Sequence, residues 1–154
     1  TVATLLSALF RIGAQTRRRM SFDATQASMD EVIQFLDRQG RSWGARPGVV
    51  RRAEYATWQA VEILVDHDLV GRSRQDDSLI ELETAFDEFT FTVIARYRGN
   101  TVPIVLRPPT QDEMLADERA VLMMAGYLLR KLADSVRTES RDDGRAELRL
   151  TFND

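Results

Sequence analysis

Gln59-Ala60-Val61-Glu62-Ile63-Leu64-Val65-Asp66-His67 reads as one uninterrupted helical stretch. Side chains at i, i+4 and i+8 stack along an α-helix, so Gln59, Ile63 and His67 share a face. Isoleucine has no oxygen donor, and a hard cation requires oxygen, so position 63 is no magnesium ligand. His67 is the only histidine, which excludes a multi-histidine metal site within one copy. At a helix end it bonds a late carbonyl and suits the negative end of the helix dipole. The alternative role, a proton carrier titrating near neutrality, needs more than a lone imidazole. Glu62, Asp66 and Asp68 point to different sides of the helix. They read as a solvated polar surface rather than as a general acid or a cation site.

Working outward, Pro47 suits a first helical turn, and the helix it opens is predicted to run to about Leu69. Its buried face is expected to include Val50, Tyr55, Trp58, Val61, Ile63 and Val65. Before it, Met29, Val32, Ile33 and Leu36 recur at helical spacing, with Trp43 further on, which predicts a helix over Ser28 to Ser42. Arg17 to Phe22 reads as a short strand with Arg18, Met20 and Phe22 on one side, and residues 3–13 read as helix. After the polar stretch Gly71 to Ser78, Leu79 to Phe86 alternates: Ile80, Leu82, Thr84 and Phe86 lie on one face, Glu81 and Glu83 on the other. Asp87-Glu88 connects it to a return strand, Phe89 to Tyr97. Arg98 to Thr110 holds Pro103, Pro108 and Pro109 and reads as irregular. Asp112 to Ala133 is helical in two pieces. A final hairpin joins Val136–Ser140 to Glu147–Phe152 around Arg141-Asp142-Asp143-Gly144, where Asp-Gly is a strong turn signal. This order predicts an α+β two-layer sandwich, a mostly antiparallel mixed sheet with helices on one face.

The chain has 154 residues, the size of one domain. The absence of cysteine excludes disulfides, thiolate metal sites and cysteine nucleophiles. A net charge of −3 does not favour nucleic acid as a partner.

Residues 1–16 form a segment of their own ahead of a domain over 17–154. Val2, Leu5, Leu6, Leu9, Phe10 and Ile12 are apolar, and Arg11, Arg17, Arg18 and Arg19 come with no acid among them. The apolar run is shorter than the roughly 20 residues that span a bilayer. Two readings stand side by side. In one, it is the stub of a last transmembrane helix followed by a cytoplasmic basic cluster. Arg17, Arg18 and Arg19 would then lie against anionic lipid, at about 1 kcal/mol per basic residue. In the other, it is an amphipathic helix docked on its own domain, and the arginines guard a strand edge against aggregation.

Four stretches carry a family resemblance: the Gln59, Ile63, His67 face; Tyr97-Arg98-Gly99-Asn100-Thr101; Met123-Met124-Ala125-Gly126-Tyr127 with Leu128 to Asp134; and Gly144 to Leu150. Together, over about residues 17–152, the chain resembles the ATPase superfamily of gyrase, histidine kinases and bacterial anti-sigma kinases, the GHKL or Bergerat-fold group. In that family the helix face carries Glu, Asn and often His. The Glu activates water or the acceptor hydroxyl, and the Asn holds magnesium. Gln59 and Ile63 stand in those places. The family's Asp-x-Gly-x-Gly reads adenine. Here Gly99 alone matches, and Tyr97 replaces the Asp. The family's glycine-rich turn opens the last helix and holds phosphates on backbone N–H groups. Here Gly126 alone persists. Leu128 to Asp134 resembles the family's Leu-x-x-x-Leu-x-Asp ending, and Gly144 to Leu150 its closing strand.

The scaffold signals persist while the ligand signals fail at three motifs. The resemblance therefore implies a non-catalytic, ATPase-like regulatory or assembly domain with no cofactor, no metal and no kinase activity. Its vestigial pocket would comprise Gln59, Ile63, His67, Tyr97, Gly99, Met123, Gly126 and Tyr127. A plainer reading stands beside it, in which Trp58, Val61 and Val65 are simply core and the Gln59 spacing is coincidence. The start Leu9-Phe10-Arg11-Ile12-Gly13 and the texture of the whole resemble the cytoplasmic C-terminal extension of some bacterial uracil/xanthine permeases. That implies the cytoplasmic side of the inner membrane as location. The implied partners are a transmembrane part of the same chain, the anionic membrane surface, or a second copy held by the uncovered N-terminal apolar face. The alternatives are a free-standing anti-sigma-type serine kinase or switch protein, and a small-molecule sensor using a vacated pocket lined by Ile63, Tyr97, Met123 and Tyr127.

Overall fold

A computed structural model describes residues 16–71, 78–87 and 89–153. The expected N-terminal helix, most of the polar loop after Gly71, and Glu88 in the hairpin connection lie outside the described residues.

Five strands form one sheet in the order β1-β2-β3-β5-β4, with β1 Thr16–Asp23, β2 Leu79–Phe86, β3 Thr90–Arg98, β4 Ser135–Ser140 and β5 Arg145–Asn153. Every pairing among the described residues is antiparallel, in keeping with the mostly antiparallel sheet expected from the sequence. The β2–β3 and β4–β5 hairpins account for this directly, because hairpin-connected strands must run in opposite directions. The helices are α1 Met29–Trp43, α2 Pro47–Asp66, α3 Gln111–Ala116 and α4 Glu118–Leu132.

Local chemistry sets these boundaries. Ser28 caps α1, its hydroxyl accepting from the Glu31 N–H at 3.5 Å, and α1 ends at Gly44. Pro47 sits at the first turn of α2. Asp117 separates α3 from α4: its N–H closes α3 on the Glu113 carbonyl, and its carboxylate accepts from the Arg119 N–H at 2.9 Å. In the β2–β3 turn, the Asp87 carboxylate accepts from the N–H groups of Phe89 and Thr90 at 2.9 and 2.8 Å. That fixes a turn whose residues are not the preferred pair.

The register aligns Phe22, Ile80, Tyr97 and Ala146 across four strands, with Leu82, Ala95 and Leu148 in the next row. This apolar face packs on α1, α2 and α4, and the largest wholly buried side chains include Phe91, Phe152, Leu36, Leu64, Leu82 and Leu129. Trp43 of α1 stacks on Phe86 with ring centroids 6.0 Å apart and also meets Phe91 at 5.9 Å, closing one end of the core.

Two expectations for α2 are corrected. It ends at Asp66 rather than near Leu69, and the next residues take up a link to β3 described below. Tyr55 is 58% exposed instead of buried. Trp58 and Val65 pack on the core only in part, whereas Val50, Val61 and Ile63 are buried as expected. The buried stripe of α2 runs through Val49, Ala53, Ala56, Ala60 and Leu64, because small alanines let the helix approach the sheet closely.

Candidate functional site

The eight residues expected to form a vestigial pocket lie on, or directly after, three elements. Gln59 and Ile63 lie on α2, and His67 is the residue that caps its C-terminal end. The His67 N–H donates to the Ile63 carbonyl at 3.2 Å, a helix-end role. Ile63 belongs to the buried core. Tyr97 ends the core-facing row of β3 and is 4% exposed. Its hydroxyl donates to the Asn100 carbonyl at 2.6 Å, and burial pushes the phenol's pKa upward, so it stays neutral.

A backbone clasp ties this region shut. The Gly71 N–H donates to the Arg98 carbonyl at 2.7 Å, and the Asn100 N–H donates to the Leu69 carbonyl at 2.9 Å. Val70 and Gly99 form an isolated antiparallel bridge between them. Gly99 has φ +147°, and a Cβ there would lie 1.8 Å from the Leu69 carbonyl oxygen. Only glycine permits that approach. The glycine that matches the nucleotide motif thus brings backbone against backbone. Val102, just beyond, is fully buried.

The third motif departs from the expected arrangement. Met123, Gly126 and Tyr127 lie in the body of α4, not in a turn that opens it. The helix is continuous there, so those N–H groups serve its own ladder. A Cβ on Gly126 would lie 1.8 Å from the Pro103 carbonyl oxygen, so this glycine allows the irregular connection to cross α4 in contact. Tyr127 is half-buried, with the Lys131 ammonium 5.2 Å from its ring centre. The start of α4 carries the Asp117 carboxylate, which accepts from the Arg119 N–H and complements the positive helix end.

An open cleft of ≈ 450 Å³ lies between the end of α2 and the start of α4, lined by Asp66, His67, Asp68, Glu118, Arg119, Val121 and Leu122. Three acids against one arginine make it an unfavourable place for a polyphosphate. Among the described residues, no group of three or more His, Cys, Asp or Glu is arranged to hold a metal ion.

Sequence reasoning missed the polar centre of the opposite sheet face. Glu83 is wholly buried there, and Arg96, Arg17 and Arg19 converge on it, Arg17 at 3.1 Å and Arg19 at 3.7 Å. Arg96 also reaches Glu81 and Glu147, each at 3.4 Å, and Glu147 takes Arg149 at 3.2 Å and Arg141 at 3.5 Å. Arg17 and Arg19 of the expected lipid-facing cluster are therefore engaged across the sheet. Arg18 lies on the other side of β1. The signal was present as charge alternation in Glu81-x-Glu83, Arg17-x-Arg19, Glu147-x-Arg149 and Arg96, but strand neighbours cannot be read without the register.

No helix among the described residues is long and apolar enough to cross a membrane. No family model matches the chain. No curated protein matches it. Among solved structures it is similar to a chain from the SiaB–SiaC complex of Pseudomonas aeruginosa, at 14% identity, with a TM-score of 0.48 over 100% of this chain and 98% of that one. At that distance the likeness transfers neither residues nor activity.

Proposed function

We propose that this chain is a non-catalytic, ATPase-like regulatory or assembly domain that works through protein contacts rather than through a nucleotide. The observation that carries this reading is the clasp: the Gly71 N–H bonds the Arg98 carbonyl and the Asn100 N–H bonds the Leu69 carbonyl, with Val70 and Gly99 bridged between them, directly after the helix bearing Gln59, Ile63 and His67. Nucleotide entry there would require breaking backbone hydrogen bonds and displacing buried Tyr97 and Val102. Gln59 supplies no catalytic acid and Ile63 no metal ligand. The same packing argues against a sensor built on Ile63, Tyr97, Met123 and Tyr127, since a ligand pocket needs open volume. Attachment to a nucleobase permease rests on the resemblance of the chain's overall texture, including residues 9–13, and the ion pairs of Arg17 and Arg19 leave less of their charge for lipid.

Isothermal titration with ATP and magnesium, and with ADP, tests the reading. The expected result is no binding heat with either. Micromolar ATP binding abolished by chelating magnesium would overturn it and favour the anti-sigma-type kinase.

A further inference from the structure

Strand β4 forms one edge of the sheet, and among the described residues no further strand pairs with it. At the turn end of the β4–β5 ladder the Arg141 N–H donates to the Arg145 carbonyl at 2.8 Å. Antiparallel strands bond at every second residue, so Glu139, Arg137 and Ser135 bond β5. Val136, Thr138 and Ser140 turn their backbone N–H and carbonyl groups outward. On the sheet face away from the helices β4 presents Arg137 and Glu139, both exposed and without an ion-pair partner among the described residues. Within the sheet each stands opposite a like charge, Arg137 opposite Arg149 and Glu139 opposite Glu147. Like charges directly opposite are unfavourable, so this edge lacks the complement its charges need.

We propose that this edge is the docking surface for β4 of a second copy of the chain, the two strands running antiparallel about a two-fold axis at Thr138. Ser135-Val136-Arg137-Thr138-Glu139-Ser140 is complementary to itself in that register. Thr138 meets Thr138, Val136 meets Ser140, and Arg137 of each copy stands opposite Glu139 of the other. A two-fold interface requires this reciprocity, residue i meeting j while j meets i. Sliding one strand by two residues either way keeps the bonding pattern but sets Arg137 on Arg137 or Glu139 on Glu139. Like charges brought together oppose association, so charge selects the register. At the ends, Ser135 meets Arg141, whose guanidinium its own Glu147 holds at 3.5 Å. The next residue, exposed Asp142, has no partner among the described residues. It comes to an open cleft of ≈ 450 Å³ lined by Arg130, Lys131, Asp134, Ser135, Val136 and Arg137. Asp134 there is already engaged by the Asn153 N–H at 2.7 Å and by Arg52 at 3.4 Å, which leaves Arg130 and Lys131 to the incoming carboxylate. Asp143 stays with Arg145, 3.6 Å away in its own copy. One short strand edge buries less than the roughly 1,200–2,000 Å² of a stable interface, so the dimer is weak and concentration-dependent. The proposal goes beyond the regulatory reading and does not depend on the state of the nucleotide region.

Sedimentation equilibrium of the whole chain from about 1 μM to about 1 mM, the range in which such weak association is read, is the first test. Expected is a reversible dimer that Arg137→Glu and Glu139→Arg each weaken about tenfold or more, without lowering the melting midpoint of the dilute chain. The double exchange, Arg137→Glu with Glu139→Arg, should restore it. Should a charge variant fold poorly, Thr138→Pro serves in its place, since it removes an outward N–H and no bond to β5. The chain has no cysteine, so a single introduced thiol reports geometry directly. Thr138→Cys should cross-link to its own copy on oxidation, the two Cα atoms lying about 5.5 Å apart. Ser140→Cys should not, because four residues of offset put the two thiols about 13 Å apart along the strands. A monomer at every concentration, a dimer indifferent to the charge variants and to Thr138→Pro, or equal cross-linking at the two positions overturns the proposal.

Discussion

Arg96 on β3 donates to the carboxylate of Glu83 on β2, and Glu83 is wholly buried on the sheet face turned away from the helices. Their strands place Glu81 directly opposite Arg96, so the pair is a diagonal one, and Arg17 and Arg19 reach the same carboxylate from the edge strand. A lone buried carboxylate would be strongly unfavourable; three guanidinium groups make it tolerable. Glu83→Gln should therefore cost about 2–3 kcal/mol in urea melts, the scale of hydrogen bonds to a charged group. Arg96 keeps Glu81 and Glu147, and Arg17 and Arg19 are more than half exposed, which limits the loss. An unchanged midpoint would show that the cluster contributes nothing to the fold.

The same carboxylate sets an acid limb. Burial alone would raise the Glu83 pKa, but the hydrogen bonds from Arg96 and Arg17 and the surrounding positive charge hold it below 4.5. The folded chain then binds fewer protons than the unfolded one. Its contribution is fully present above about pH 4.5 and is lost as pH falls through the folded value. Asp134, held down chiefly by the Asn153 N–H, acts in the same direction. Glu54 acts oppositely: burial, with Asp37 beside it, raises its pKa, so its share is present at low pH and lost as pH rises through the folded value. Melting followed from pH 6 to 3 should fall, and Glu83→Gln should flatten that fall.

Gly126→Ala tests the crossing of the irregular connection over α4. The added methyl would meet the Pro103 carbonyl, so backbone must move, at a cost of about 1–3 kcal/mol. Gly48→Ala, in α2 with open space around it, serves as the control and should be neutral or stabilising by up to about 1 kcal/mol. Equal effects at the two positions would mean that the connection yields without resistance.

Trp58 lies half-buried on α2, its indole N–H donating to the Glu62 carboxylate at 2.8 Å. Trp58→Ala should cost about 2–3 kcal/mol, below the 3–5 of a wholly buried aromatic. A loss under about 1 kcal/mol in denaturant melts would mean that the indole packs on little.

The α+β class, nearly every described element and the two hairpins were legible, because each rests on a local period or turn signal: alternation in Leu79 to Phe86, Pro47 at a first turn, Asp143-Gly144 between β4 and β5. The candidate site was legible only as a set of absences. Gln59, Ile63 and Tyr97 lack the chemistry a nucleotide site needs, and that follows from residue identity alone. What stands in the place of that chemistry did not follow.

Sequence by itself determined the described helices and strands, most of their inward rows and the absence of an oxygen donor at Ile63, since side-chain chemistry and local spacing carry that information. Tertiary structure decided the rest. It gave Gly99 and Gly126, the glycines that match the nucleotide motifs, the role of close approaches to the carbonyls of Leu69 and Pro103. It ran α4 straight through the expected turn, and it paired Arg17, Arg19 and Arg96 with Glu83. Each of these joins residues distant along the chain, and which strands become neighbours, and which carbonyl a glycine faces, is fixed only when the whole apolar face is buried at once.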